Sequence, residues 1–262
     1  MYSFLKYILK KGENGFMETK RNLKYFTTYG IHPATIVSLV LMLAGAVMAY
    51  IFFGTDYIPV AFVGIGLIVV GIVIFNIING GKSSPDDIDY QIYDRIKYLE
   101  ETAQKRHEVY ESHFSKVIKP IKLQGYDYYT KENLYFKKGS DNKNRTNIYN
   151  TAVLYFTKDR MYIYGKHFSL TDELFDKEIM SKHKFVDLDR AEIVDDELTF
   201  PRGKYVSRVK THTFRVIKND GEVVLSMTVD YGADIDKAAE DINRVISVAK
   251  DEAAAKAAAE AK

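Results

Sequence analysis

Histidines, one glycine–lysine–serine run and one basic loop are where residue type and spacing in this 262-residue chain come closest to known chemistry. His107-Glu108 starts like a helical H-E-x-x-H zinc site, whose second histidine must fall at position 111. That position is Glu111, and His113 lies six residues from His107, on a different helix face. Gly81-Lys82-Ser83 has the end of a phosphate-cradling P-loop. Asn76 stands where the first glycine is required, however, and an apolar run replaces the preceding strand. His167, His183 and His212 are scattered, and the chain has no cysteine, which excludes disulfides and thiolate-held metals. No catalytic, metal-ligating or cofactor-binding residues are expected, and the chain does not read as an enzyme.

The strongest candidate for binding is the segment Lys137-Lys138-Gly139-Ser140-Asp141-Asn142-Lys143-Asn144-Arg145. Cations on a turn can engage phosphate groups, which makes Lys137, Lys138, Lys143 and Arg145 the candidate ligand or lipid loop. Its Gly, Ser, Asn and Asp content suits a solvated flexible loop better than a site. Lys119, Lys122 and Lys131 would join it only if the fold gathers them.

Two runs without Lys, Arg or Glu, 34–53 and 60–78, set where these groups sit. Each is about 20 residues, enough for a helix to cross a hydrocarbon core of roughly 30 Å. The six residues between them, Gly54-Thr55-Asp56-Tyr57-Ile58-Pro59, have no Lys or Arg, whereas six basic residues precede the first run. The positive-inside rule then puts both termini in the cytoplasm and the short hairpin outside, as a two-pass protein of the cell membrane. Ala44, Gly45, Ala46 and Ala49 in one run and Gly64, Gly66 and Gly71 in the other allow close helix packing, first of all with each other. No ionisable residue lies within either run, which argues against a transporter or pump. Ile31-His32-Pro33-Ala34-Thr35 resembles the start of CDP-alcohol phosphotransferase spans, but the D-G-x-x-A-R aspartate cluster of those enzymes is missing.

Charge divides by region. Residues 1–33 carry a net +4 and form a basic juxtamembrane segment; residues 34–81 form the hairpin; residues 82–262 are close to neutral, at net −1. A nucleic-acid binder would normally show a basic excess in its polar part, so none is expected as partner. Over 82–119 an amphipathic connecting helix is expected, opened by Asp86 and Asp87 and running to about Val117. Its stripe of Ile92, Ile96, Leu99 and Ala103, continued by Tyr110 and Val117, would pack on the next domain or pair with a second copy.

From 120 to 230, stretches rich in Tyr, Phe, Val, Ile and Thr alternate with turn residues. About seven antiparallel strands are expected, near 126–129, 133–136, 152–157, 161–165, 184–188, 211–217 and 222–229, with Asn219-Asp220-Gly221 turning the last hairpin. An amphipathic helix over 235–250 follows, and the Ala-rich tail 251–262 reads as a helical or disordered spacer.

This order and three local patterns resemble the bacterial pleckstrin-homology-like and GRAM-like domains. They are Tyr155-Phe156-Thr157-Lys158-Asp159-Arg160-Met161-Tyr162-Ile163-Tyr164, then Lys184-Phe185-Val186-Asp187-Leu188-Asp189-Arg190-Ala191-Glu192-Ile193, and the closing hairpin and helix from 213 to 248. The resemblance covers about 120–250, departs at 171–181 and 195–209, and extends to proteins with two spans before such a domain. It implies an α+β cytoplasmic domain, an antiparallel sandwich or barrel closed by a C-terminal helix, with headgroups bound by an early loop when they are bound at all. The expected function is a membrane-anchored interaction module that binds a protein partner or the membrane surface. Anionic-lipid recognition through the 137–145 loop, or service as an accessory subunit of a membrane complex, are the alternatives. The bilayer, a protein, an anionic lipid and a second copy through 82–118 are the expected partners.

Overall fold

A computed structural model describes residues 18–28, 32–202 and 205–260, in two compact units, Met1–Ser84 and Pro85–Lys262. In the first unit, α1 covers the described residues 18–27. Two long apolar helices follow, α2 (Pro33–Phe52) and α3 (Ile58–Asn79), each long and apolar enough to cross a membrane. Proline in the first turn of each costs no hydrogen bond there, and the His32 side chain accepts the Ala34 amide at 3.2 Å. The helices pack along their small residues. A Cβ on Gly64 would sit 2.6 Å from the Gly45 carbonyl oxygen, and one on Gly71 would sit 2.8 Å from that of Ser38. Gly66 faces open space. The Ser83 hydroxyl donates to Asn22 Oδ1 at 2.6 Å and ties the end of the hairpin back to α1.

The second unit begins with α4 (Pro85–Ile96) and α5 (Leu99–His107). The expected single helix to Val117 is instead two short ones, and α5 stops where Glu108 turns left-handed at φ 54°. Ile92, Ile96, Leu99 and Ala103 are buried, while Tyr110 and Val117, beyond the stop, are exposed. Leu99 and Ala103 pack on Val153, Tyr155 and Tyr164, and the Tyr155 hydroxyl donates to the Glu100 carbonyl at 3.0 Å.

The β-rich part has a four-stranded antiparallel sheet in the order β1-β4-β5-β6: Ile121–Tyr126, Ile148–Phe156, Arg160–Ser169 and Lys177–Lys184. A small hairpin, β2 (Phe136–Lys138) with β3 (Asn144–Thr146), lies between β1 and β4 in the chain. The second large sheet is antiparallel β7-β8-β9: Leu188–Arg202, Tyr205–Lys218 and Val223–Val229. At Gly125, β1 passes so close to β9 that a Cβ would meet the Thr228 carbonyl oxygen at 2.7 Å, and Asp230 N–H donates to Gln124 O at 2.8 Å. The C-terminal helix α6 (Ala233–Glu260) buries Ile235, Ala238, Ala239, Ile242 and Ile246 in the main core, with Leu123, Leu154, Phe156, Ile163, Phe214 and Val216.

Several strand expectations shift. The 126–129 strand lies earlier, at 121–126, and 133–136 overlaps β2 only at Phe136. The 184–188 strand is a 3-10 turn, Phe185–Asp187, and β7 begins at Leu188. Both stretches set apart from the expected pattern carry strand residues. Residues 171–181 contain most of β6, an edge strand with little burial and hence no apolar alternation; 195–202 and 205–209 form the far arms of the β7–β8 hairpin.

Candidate functional site

The structure separates the four residues of the basic loop by environment. Lys137 pairs across the hairpin with Arg145, and Lys138 with Asn144, so the two lysines point to opposite faces. Lys143 is exposed beside the tip. Arg145 stands apart from the three lysines: its side chain is 1% exposed, while Asp89 and Asp141 are 44% and 34% exposed. It donates to Asp89 Oδ1 and Oδ2 at 2.9 and 2.7 Å and to Asp141 Oδ1 and Oδ2 at 2.8 and 2.7 Å. The planar fork meets two carboxylates bidentately, an arrangement that leaves little of the guanidinium for a ligand. Burial opposes the Arg145 charge, but the bonds to Asp141 and Asp89 outweigh it and hold the group above its ordinary pKa. The same bonds hold the Asp141 carboxyl well below the usual carboxylate range. The Tyr126 hydroxyl adds a donor to Asp89 at 3.1 Å, and burial, then the Asp89 charge, pushes its own pKa up. Arg145 is thus a tie between α4, the hairpin and its tip. Lys119, Lys122 and Lys131 are exposed, with Lys122 3.9 Å from Glu100.

A second arrangement is a cleft of about 610 Å³ between the two large sheets. One wall is a cross-strand row, Asn150, His167 and Lys177 on β4, β5 and β6, with Ala152, Gly165 and Ile179 forming the next row on the same face. The other wall is Thr213 with its partner Thr228, and Arg215 with Ser226, on β8 and β9. Of the residues alternating with these, Phe214 and Val216 enter the core, while Leu225 and Met227 belong to the core and also line the cleft. Asp127, Tyr129 and Thr130 close one side: Asp127 accepts the Tyr129 amide at 2.8 Å and the Thr130 hydroxyl at 2.5 Å. His167 Nδ1 lies 2.6 Å from Asn150 Oδ1 and 3.9 Å from Asp127. Burial pushes the His167 pKa below its ordinary value, which favours the neutral ring. Thr213 and Thr228 are 5% and 4% exposed, and among the described residues neither hydroxyl has a hydrogen-bond partner.

The basic loop is contiguous in sequence, whereas the cleft draws on five strands. Its one sequence-level trace is alternation: in Thr211–Ile217 the apolar Phe214 and Val216 alternate with Thr213 and Arg215, a pattern that reads as core and solvent faces. No protein-family model matches the chain, and no curated protein or solved structure is significantly similar to it.

Proposed function

We propose that the chain is a non-enzymatic, membrane-anchored interaction module. α2 and α3 cross the bilayer of the cell membrane, both termini lie in the cytoplasm, and the β-rich unit binds a protein partner or the membrane surface. The observation that carries this reading is the outward face of the two apolar helices: Val37, Leu43, Phe62 and Ile77 are 53%, 68%, 63% and 71% exposed. Helices apolar all round and so little covered are at home in hydrocarbon, not water. Six basic residues before α2 and none between the helices support the orientation.

The pleckstrin-homology-like reading of the second unit draws support from its element order. Setting the small β2–β3 hairpin aside, seven strands in two antiparallel sheets lead into a helix packed on their core. With Arg145 committed to Asp89 and Asp141, the early loop offers less charge for headgroups than its sequence suggests, which favours a protein partner over a headgroup at that loop. Anchoring raises the local concentration of the domain at membrane targets without any new contact.

Reporter fusions inserted at Thr55 and placed after Lys262 test the topology. The hairpin reporter should be active outside and the C-terminal one inside; an exported C-terminus refutes the orientation. Release of the chain from membranes by alkaline carbonate refutes the anchor itself.

A further inference from the structure

We propose that the cleft between the two large sheets binds a small amphipathic phosphomonoester, its phosphate held by Lys177 and Arg215 and its apolar body lying over Ala152, Gly165 and Ile179. The proposal is independent of membrane anchoring, because every residue involved belongs to the second unit.

Three observations support it. The first is charge that is not neutralised. Among the described residues, Lys177 and Arg215 have no ion pair, although acids lie beside both. Those acids are engaged elsewhere: Asp176 with Arg95 at 3.5 Å, Glu178 with Arg106 at 3.4 Å, and Glu192, the cross-strand neighbour of Arg215, with Arg190 at 2.9 Å. Asp127, the acid in the lining, is occupied by Tyr129 and Thr130. The second is the pair of hydroxyls on Thr213 and Thr228, which line the cleft and have no hydrogen-bond partner among the described residues. Buried polar groups in native proteins are nearly always hydrogen-bonded, so these two carry unmet hydrogen-bonding capacity beside the cleft. Strand pairing sets these two threonines side by side, one row from Arg215 on the same face. The third is chemistry and size. A cleft of about 610 Å³ lies within the usual range for small-molecule sites, and an apolar floor with a few polar groups is their usual lining. Lysine as a point charge, arginine as a fork and two hydroxyl donors together suit a head with three exposed oxygens.

The test uses the full chain in phosphatidylcholine nanodiscs, titrated calorimetrically with 1-naphthyl phosphate, 1-naphthol and inorganic phosphate, with empty nanodiscs as blank. Saturable binding of 1-naphthyl phosphate is expected, at least about tenfold tighter than either half of the molecule alone. Lys177→Gln and Arg215→Gln should each weaken it by about tenfold and leave 1-naphthol unaffected. Thr213→Val and Thr228→Val should weaken it too, without lowering the melting temperature, since an apolar isostere removes an unmet hydrogen-bonding need. If phosphatidic acid in the nanodisc competes with the probe, the natural source of the phosphomonoester is a lipid headgroup; if it does not, the source is soluble. No saturable binding, or binding that survives the Lys177 and Arg215 substitutions, overturns the proposal.

Discussion

Arg145→Met is the most informative single substitution in the β-rich unit. It removes the guanidinium but keeps a long apolar stem in a site that is 1% exposed. Four charge-assisted hydrogen bonds to Asp89 and Asp141 disappear. Both carboxylates are a third to a half exposed, so they rehydrate instead of being stranded, which moderates the loss. Starting from about 3–5 kcal/mol for breaking a buried ion pair and discounting for that rehydration, the expected cost is about 3 kcal/mol. A unit of 150–250 residues shifts by about 2–4 °C per kcal/mol, so melting should fall by roughly 6–12 °C, read from the near-ultraviolet circular dichroism of its tyrosines. Arg145→Lys keeps the charge, loses the bidentate fork and should fall between wild type and Arg145→Met. The pair Asp89→Asn with Asp141→Asn should destabilise more than Arg145→Met, because it leaves the buried cation with nothing to balance it. If Arg145→Met melts within about 1 °C of wild type, Arg145 is not a tie, and its place in the ligand loop is restored. The reverse order of the two carboxylate-and-arginine variants would equally refute the reasoning, since it rests on the difference in burial.

Other outcomes follow from the same contacts. Because Asp141 has a depressed pKa in the fold, its contribution is present above the ordinary carboxylate range and lost as pH falls through the folded value; acid unfolding below about pH 4 should therefore be shallower in Arg145→Met than in wild type. His167 and His183 are both lowered by burial, so the fold favours their neutral forms, and stability should decline as pH drops from above 6.5 toward their folded values; His167→Asn with His183→Asn should flatten that decline in melting temperature. Glu108→Gly should raise stability by about 0.5–1 kcal/mol in chemical denaturation, since glycine takes the φ of 54° without strain. Gly64→Leu should part α2 and α3 by about 1 Å and speed hydrogen exchange across 33–79, whereas Gly66→Leu, facing open space, should leave exchange unchanged.

Much of the architecture was legible in the linear chain wherever one element's own pattern suffices. Length and hydropathy alone mark α2 and α3, and 4-3-4 spacing marks Ile92, Ile96, Leu99 and Ala103 as a buried stripe. Asn219-Asp220-Gly221 marks the last hairpin, with Gly221 at φ 86°. Edge strand β6 escaped because a strand with so little burial needs no apolar alternation, and the break after Ile96 escaped because nothing in Lys97-Tyr98 is a helix breaker.

The functional surface depended on tertiary structure for a different reason. Sequence determines that Lys137, Lys138, Lys143 and Arg145 stand close together and are cationic. Only the fold brings Asp89, 56 residues away, against Arg145 and turns an apparent ligand residue into an internal clasp. The cleft is the converse case. Arg215, Thr213 and Thr228 lie in stretches expected as strands and Lys177 in one that was not, and in none of them does the pattern of one strand say what lies opposite it. Only the fold sets these residues around one open cleft, with Lys177 on one large sheet and Arg215, Thr213 and Thr228 on the other.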